Sequence, residues 1–434
     1  MTMRFLLACW PFVGHIRPFL SVAAALKARG HDVAFYTGET AREQIEREGL
    51  TVCPFQYVSE DLAYERVGAV DTSLPGDRTG STRVLRAFQD WLVGTIPDQV
   101  ADLEPILEQW QPDVVVTETA MWGPILVLWE TQQRPVAILS TLLTCLVPGP
   151  DAPPAGLGLP PPRTPRSRFV ATAASAATEL LAIRLRRRVD RMRAGYSLPP
   201  LGCSVNAFTG RLPLYLIGNI PELDYERRDL PPSVRYIGPC AMDRDTGENA
   251  DWLNHVPTDR PWVHVTEGTL RYGEPFVLRA AARGLGNLPV EVILGAGPQR
   301  DMNNLDLGPL AANVQLVQWV NHHALLPRCS AMVTTGGAGT VMAGLRAGLP
   351  LVVVPTTWDK PDNARRVEAA GAGVVLPPRS CTAEGLRQAV KQVLGDPRYR
   401  KTAQRLADQL AATPGPAGAA ELLEALAASR TLVV

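Results

Sequence analysis

A short apolar strand, a glycine-rich turn, a helix and a second strand follow one another closely in the C-terminal half of the chain. The apolar run at 331–334 is typical of a strand buried on both faces of a parallel sheet. Glycines in the turn at 336–340 let the backbone approach a ligand, and the first N–H groups of the new helix favour an anion. The next strand, 351–354, leads into a loop at 355–360. Because ligands of open parallel sheets bind outside the carboxyl ends of strands, both loops are expected to face one crevice.

This window therefore predicts a nucleotide-diphosphate site in an α/β fold. The glycine turn alone leaves a second interpretation open, an ordinary strand-loop-helix repeat without a ligand. Its spacing matches neither the dinucleotide fingerprint of six residues nor the phosphate loop that ends in Gly-Lys-Ser/Thr.

Length and charge narrow the class of protein. A chain of 434 residues is too long for one typical core, so two domains are expected. Lys and Arg balance Asp and Glu at 43 each. This balance argues against broad electrostatic attraction to nucleic acid, which is not expected as a partner, but leaves a local nucleotide site possible.

Cysteine spacing and hydropathy indicate in which cellular compartment the protein is expected. The seven cysteines are scattered without a Cys-x-x-Cys pair, which predicts neither a zinc site nor a disulfide framework. No apolar run approaches the roughly 20 residues that span a bilayer, and the apolar start is interpreted as a first strand instead of a signal peptide. We expect a cytoplasmic protein without integral membrane association, a monomer or a weak dimer.

The order of elements indicates two halves. Strands at 4–9 and 32–37 flank a helix at 16–29, a βαβ unit typical of parallel sheets. A proline-rich loop at 148–165 precedes helices at 166–196, whose basic cluster is interpreted mainly as a solvated face. The predicted domains are 1–215, a connection at 216–261, a second domain at 262–396, and helices at 397–434 that cross back to the first domain.

The motifs together resemble those of family 1 glycosyltransferases, which include plant and animal UDP-glycosyltransferases and bacterial macrolide and natural-product glycosyltransferases. The resemblance covers nearly the whole chain. It implies the GT-B fold, an α/β architecture of two Rossmann-like parallel-sheet domains facing each other across a cleft. The residues that carry it are Gly14-His15-Ile16-Arg17-Pro18, Trp319, Asn321-His322, Leu325-Leu326, Thr334-Thr335-Gly336-Gly337, Asp359-Lys360 and Asn363-Ala364.

His15 is the candidate catalytic base. Transfer to a hydroxyl needs a group that removes the proton as the oxygen attacks, and a neutral imidazole at a helix N-terminus suits that role. Such a base needs an orienting acid on its other nitrogen. The resemblance implies an Asp after the strand at 114–117, where this chain has Glu118, one methylene longer. A structural histidine cap and a solvent-exposed acid are the alternatives.

The resemblance also implies a set of donor-binding residues. Trp319 is expected to stack on the nucleotide base. Three departures concern this set: Thr335 replaces a His, Lys360 replaces a Gln, and Ala343 replaces a Glu, which leaves a TDP-sugar possible beside a UDP-sugar. The predicted donor-binding residues are Thr269, Trp319, His322, Thr335, Gly336, Gly337, Ala338, Gly339, Thr340, Asp359 and Lys360.

The predicted activity is inverting, metal-independent transfer of a sugar from a UDP- or TDP-sugar to a hydroxyl of a small hydrophobic natural product. No metal and no cofactor are expected, since the nucleotide sugar is a substrate and no metal-ligand spacing is visible. Candidate acceptor-binding residues are Phe12, Trp91, Trp122 and Leu142. Two alternatives stay open, a helper protein that binds a nucleotide sugar without catalysis and a sugar-nucleotide epimerase.

Overall fold

The computed structural model describes residues 2–71, 80–241, 251–269, 273–298 and 300–429. Within these ranges the strands form two parallel sheets, one in each half of the chain. This arrangement is the predicted α/β fold of two Rossmann-like domains. Helices pack on both faces of each sheet, so the strands are buried on both sides and consist mainly of Val, Ile and Leu.

The N-terminal sheet has the order β3-β2-β1-β4-β5-β6-β7 within the described residues. Its central strands β1 and β4 are neighbours, which brings the loops after both strands together at one edge of the sheet. The strands are β1 (Arg4–Ala8), β2 (Asp32–Thr37), β3 (Thr51–Pro54), β4 (Val114–Thr117), β5 (Val136–Ser140), β6 (Leu214–Ile217) and β7 (Val234–Tyr236).

The C-terminal sheet has the order β10-β9-β8-β11-β12-β13 within the described residues. Strand β11 lies between β8 and β12, so the loops after these three strands open toward the same crevice. The strands are β8 (Trp262–Thr266), β9 (Glu291–Gly295), β10 (Val314–Val317), β11 (Cys329–Thr334), β12 (Leu351–Val353) and β13 (Gly373–Val375).

Helices connect these strands, and two short π-helical segments, Phe88–Val93 and Pro124–Leu128, lie in the N-terminal half. The α-helices of the described residues are α1 (Val13–Ala28), α2 (Arg42–Glu46), α3 (Glu60–Asp71), α4 (Gly80–Ala87), α5 (Ile96–Trp110), α6 (Trp129–Thr131), α7 (Pro165–Ala194), α8 (Val205–Thr209), α9 (Phe276–Leu285), α10 (His322–Leu325), α11 (Ala338–Arg346), α12 (Lys360–Ala370), α13 (Ala383–Gly395), α14 (Pro397–Ala411) and α15 (Gly415–Ser429).

The last two helices belong to different halves of the molecule. Helix α14 packs its buried face into the C-terminal core, whereas Leu423 of α15 is buried in the N-terminal core. Glu424 of α15 also accepts from the Arg29 guanidinium, with 2.6 Å between Oε1 and Nε. Among the described residues of the predicted crossing segment, α15 packs on the first domain, whereas α14 packs on the second.

Two details differ from the sequence-based outline. The predicted domain boundary at 215 lies inside β6, and β7 extends the N-terminal sheet into the segment interpreted as a connection. The basic segment at the end of α7 is not a solvated face throughout. Arg193 is 1 % exposed, and its guanidinium binds the Glu130 carboxylate and the Leu126 carbonyl.

Candidate active site

The side chains of His15 and Glu118 are in direct polar contact at the edge of the N-terminal sheet. Helix α1 begins just before His15, and Glu118 follows β4, the neighbour of β1. The distance between His15 Nδ1 and Glu118 Oε2 is 2.6 Å. The other carboxylate oxygen accepts the Trp10 N–H at 2.7 Å, which fixes the buried carboxylate between two donors. The longer glutamate thus reaches the imidazole from the place where the family usually has an aspartate.

Electrostatics favour a more basic imidazole at position 15. Burial by itself lowers the pKa of His15, but the Glu118 carboxylate and the more distant Asp359 carboxylate outweigh it, and the pKa is raised above its ordinary value of 6.5. The side chain is 23 % exposed, so it can meet a ligand while its Nδ1 side is covered. The neutral state expected from the helix N-terminus is therefore opposed by two carboxylates.

The glycine turn at 336–340 lies on the C-terminal side of the crevice, directly after β11. Gly336 has a φ of +94°, which favours glycine, and its carbonyl accepts from the Asn363 side chain at 2.9 Å. Gly337 is the N-cap residue of α11. A Cβ atom built on Gly337 or Gly339 would meet nothing within 4 Å, so space lies open before the N-terminus of this helix. Gly337 and Gly339 thus leave the open approach that an anionic ligand requires, whereas the backbone of Gly336 is held by Thr334 and Asn363.

Thr335 lies deeper than the prediction supposed. It is 1 % exposed, and its hydroxyl donates to the Glu267 carbonyl at 3.0 Å. This bond ties the loop after β8 to the loop after β11. The hydroxyl hydrogen is committed inside the protein, so Thr335 supports the turn and offers no direct replacement for the family's histidine.

Trp319 contacts both the donor crevice and the opposite domain. It lines a small cavity together with Thr269, His322 and Thr340. The Arg17 guanidinium, which belongs to α1, lies over the Trp319 ring at 5.7 Å from its centroid. One face of the ring is therefore covered by a cation, a favourable arrangement for an aromatic face. A stacking base would use the other face or displace Arg17.

Asp359 and Lys360 stand at the start of α12, next to the same crevice. The Asp359 carboxylate accepts from Asn363 at 2.7 Å, and burial raises its pKa. Its charge also acts on His15 in the other domain. The predicted sugar-binding residue and the predicted base therefore face each other across the cleft.

Aromatic rings surround His15 on its own domain. Phe12 contacts the His15 ring edge-on, with 5.2 Å between centroids, and Trp91 lies 5.9 Å from Phe12. Trp122 belongs to the core, since it is 4 % exposed and its Nε1 donates to the Thr119 carbonyl. Leu142 is partly exposed in the loop after β5. Phe12 and Trp91 thus pack beside His15, but at 1 % and 4 % exposed they are as buried as Trp122.

Trp358 is a site residue that sequence reasoning missed. It precedes Asp359, has a φ of +59°, and packs on Trp91 of the other domain with 6.0 Å between ring centroids. A non-glycine residue in this conformation is uncommon and indicates that the surroundings hold it there. Its place next to the Asp359-Lys360 motif was the available signal, but only the fold shows that it crosses the cleft.

A polar network joins α12 to the proline-rich loop. The Asp362 carboxylate accepts the backbone N–H groups of Gly156 at 2.5 Å and Gly158 at 2.8 Å. One turn along, Arg366 binds the buried Asp224 carboxylate, with 2.7 Å between Nε and Oδ1. The helix that begins at the donor crevice is therefore fixed to the first domain, a connection with no local sequence signal.

Within the part of the chain that the structure describes, no cluster of three or more His, Cys, Asp and Glu side chains has the arrangement to hold a metal ion. No helix in that part is both long and apolar enough to cross a membrane.

Two paired sheets with a crevice between their strand ends define a nucleotide-sugar transferase architecture, the GT-B fold. Solved structures agree. The chain superposes on a calicheamicin glycosyltransferase with a TM-score of 0.72 at 21 % identity, covering 98 % of each chain. It matches the spinosyn rhamnosyltransferase complexed with thymidine diphosphate with a TM-score of 0.71 at 21 % identity, covering 97 % of this chain and 100 % of the other.

Sequence comparisons give the family. Residues 13–116 match the glycosyltransferase family 28 N-terminal domain, and residues 282–426 match the C-terminal domain of erythromycin biosynthesis protein CIII-like proteins. The 4'-demethylrebeccamycin synthase of Lentzea aerocolonigenes is 35 % identical over 98 % of this chain and 100 % of its own length. The chain belongs to the family 1 glycosyltransferases, and it is an enzyme of that class.

Proposed function

We propose that this glycosyltransferase moves a sugar from a TDP- or UDP-sugar to a hydroxyl of a small hydrophobic natural product, with inversion at the anomeric carbon and without a metal ion. The observation that carries the proposal is the 2.6 Å contact between His15 Nδ1 and Glu118 Oε2. It leaves Nε2 as the free nitrogen of a basic imidazole beside the cleft.

The proposed chemistry is a single displacement. The acceptor hydroxyl gives its proton to His15 Nε2 while its oxygen attacks the anomeric carbon. The bond from that carbon to the nucleotide diphosphate breaks on the opposite side, so an α-linked donor gives a β-linked product. Glu118 holds the ring in the orientation that exposes Nε2 and stabilises the imidazolium that forms.

The leaving diphosphate is proposed to sit at the N-terminus of α11. Space lies open beside Gly337 and Gly339 there, the first N–H groups of the helix lack intrahelical acceptors, and the helix dipole favours the negative charge that develops. Thr335 brings no charge, so these backbone groups carry most of the stabilisation. The thymidine diphosphate bound to the spinosyn rhamnosyltransferase supports a TDP-sugar as one donor.

The acceptor is proposed to bind against the aromatic rings beside His15. Phe12, Trp91 and Trp358 form an aromatic cluster drawn from both domains, in which Trp358 is partly exposed and Phe12 and Trp91 expose 1 % and 4 % of their surface. Asp359 stands across the cleft. Such a wall favours a flat or bulky hydrophobic aglycone. Natural products in the names of the relatives support this class of acceptor.

The test is a panel of TDP- and UDP-sugars against hydrophobic aglycones that carry hydroxyl groups, read by mass spectrometry. We expect transfer that persists in EDTA, with a β-linked product by NMR. A product that keeps the donor's anomeric configuration rules out the displacement. Calorimetric binding of TDP without transfer or donor hydrolysis would favour the binding protein instead.

A further inference from the structure

The tip of the proline-rich loop, residues 156–158, contacts the opposite domain directly. A Cβ atom built on Gly158 would lie 2.7 Å from the Pro361 Cβ atom, and one built on Gly156 would lie 3.9 Å from the Trp358 carbonyl oxygen. The tip therefore packs on the segment that leads from the cleft into α12. Neither the predicted acceptor-binding residues nor the proposed chemistry includes this part of the loop.

The backbone of the tip is held mainly by one carboxylate of α12. The Asp362 side chain uses one oxygen to accept the Gly156 N–H at 2.5 Å and the other to accept the Gly158 N–H at 2.8 Å. Arg365, also in α12, donates from Nε to the Gly158 carbonyl at 3.1 Å. Both oxygens of Asp362 are thus taken up by a loop of the other domain, which fixes the tip against the donor-side helix.

The flanks of the tip are stiff, whereas the tip itself is not. Prolines at 153–154 and 160–162 fix the backbone on both sides, and the Tyr225 hydroxyl donates to the Leu159 carbonyl at 2.8 Å. The stretch 155–159 between the prolines contains no proline and two glycines, which are the least constrained residues of a chain. The bonds to Asp362 therefore supply the constraint that this stretch lacks.

Leu157 is the only residue of the tip that has a side chain, and it is 51 % exposed. Gly156 and Gly158 have φ values of +88° and +58°, so the chain turns on both sides of Leu157. The neighbouring Trp358 is partly exposed and packs on Trp91 across the cleft. Leu157 therefore offers apolar surface where the tip meets the cleft, the kind of surface that a hydrophobic ligand covers.

We propose that the tip is part of the acceptor site, with Leu157 as an apolar contact to the aglycone and Asp362 as the positioning residue that holds it there. The inference rests on the proposed function, which puts a hydrophobic acceptor beside Trp358. Asp362 touches neither substrate and acts only through the backbone of Gly156 and Gly158. Recognition of the acceptor thus depends on a carboxylate that belongs to the donor-binding domain.

Leu157→Ala tests the contact first, in an exposed position where folding is not at risk. We expect the KM for the acceptor, at saturating donor, to rise roughly three- to tenfold, because about half of the leucine surface is open for a ligand to cover. The kcat and the calorimetric affinity for TDP should change less than about twofold. Leu157→Met keeps the apolar volume and should restore the wild-type KM. Unchanged acceptor KM in Leu157→Ala overturns the proposal.

Asp362 variants then test the positioning. We expect Asp362→Ala to raise the acceptor KM by no more than Leu157→Ala does, because it misplaces that same side chain, and Asp362→Asn, which keeps one acceptor oxygen, to raise it less. In the double variant of Leu157→Ala and Asp362→Ala the KM should equal that of Leu157→Ala alone, since no side chain is left to position. Effects that multiply in the double variant would show that Asp362 does not act through the tip, against the proposal.

A matched control separates positioning from general support of the fold. Asp190 of α7 also accepts a loop N–H, that of Leu201 at 2.9 Å, but this bond lies within the N-terminal domain. We expect Asp190→Ala to leave the acceptor KM and the TDP affinity unchanged. If Asp362→Ala weakens TDP binding as much as it raises the acceptor KM, its role is structural and the assignment is wrong.

Failure of this inference and failure of the proposed function give different results. A wild-type protein that transfers sugar to an aglycone, together with variants of Leu157 and Asp362 that keep its acceptor KM, overturns only the assignment of the tip. A wild-type protein that transfers no sugar to any hydroxyl-bearing aglycone contradicts the proposed function, and the acceptor role of the tip falls with it.

Discussion

Two imidazoles, a partly exposed one in the N-terminal domain and a buried one in the C-terminal domain, differ in what their Nδ1 atoms contact. His15 follows the first strand of the N-terminal sheet and meets the Glu118 carboxylate, whereas His264 lies in the first strand of the C-terminal sheet and meets a backbone carbonyl. The pKa of His15 is raised and that of His264 falls to about 3. Burial lowers the pKa of both rings, and at His15 the carboxylate beside Nδ1 helps to outweigh it, whereas the Ile293 carbonyl at His264 does not.

Removal of the first imidazole should have the largest effect. We expect His15→Ala to lower kcat by roughly 10²–10⁴-fold, the contribution typical of a positioned base, while calorimetric affinity for TDP changes less than about twofold. The measurement is turnover on the best donor and acceptor pair. The exposed His323→Ala variant is the control. Full turnover in His15→Ala would show that His15 is not the base, and the contrast between His15 and His264 would then have no bearing on catalysis.

Neutralising Glu118 should make the environment of His15 more like that of His264, which has no carboxylate at Nδ1. In Glu118→Gln the amide can still accept from the Trp10 N–H, but the negative charge beside His15 is lost. We expect kcat to fall roughly 10–100-fold and the acid limb of the pH profile to move to lower pH, because the imidazolium loses its counter-charge.

A shorter acid is the matched control for that change. Glu118→Asp keeps the charge but cannot span both Trp10 and His15, so we expect reduced turnover with an acid limb near that of the wild-type protein. An acid limb that stays in place in Glu118→Gln would show that the carboxylate does not set the basicity of His15.

The local parts of this site were accessible from the sequence. The apolar run at 114–117 predicted β4, and Glu118 directly after it was the expected partner of His15. The family resemblance joined these two motifs about a hundred residues apart, and the parallel pairing of β1 and β4 explains why their loops meet at one edge of the sheet. The turn at 336–340 was predicted in the same way from glycine and the start of a helix.

The contacts across the cleft were not accessible in this way. Nothing near Asp362 indicates that its carboxylate holds Gly156 and Gly158, because that pairing depends on how two domains meet. The commitment of the Thr335 hydroxyl to the Glu267 carbonyl likewise depends on the neighbouring strand. Sequence patterns report what one element needs locally, whereas these bonds join elements far apart in the chain.

The pH dependence of catalysis and of binding should separate the two imidazoles. The base must be neutral, so kcat/KM should fall on the acid side with a midpoint above 6.5, as His15 gains a proton. The pKa values of His264 and His322 are about 3 and about 4, and both rings stay neutral from about pH 5 to 8. We therefore expect neither ring to change the affinity for a TDP-sugar over that range.

A TDP-sugar is the right ligand for this measurement, because its diphosphate lacks the terminal phosphate ionisation of free TDP. The two curves are recorded on one preparation, by initial rates and by calorimetry. Affinity that falls with the same midpoint as kcat/KM would mean that the donor site contains the titrating group, and the contrast between the domains would be lost.

The smallest expected effect comes from removing the charge of Asp359, which raises the pKa of His15 from the opposite domain. Asp359 raises the pKa of His15 less than Glu118 does, so Asp359→Asn should move the acid limb of kcat/KM to lower pH by less than Glu118→Gln. Asp362→Asn is the matched control, since its carboxylate lies on the same helix but binds Gly156 and Gly158. We expect that control to leave the acid limb in place. Equal shifts in both variants would mean that closure of the domains, rather than the charge at position 359, tunes the base.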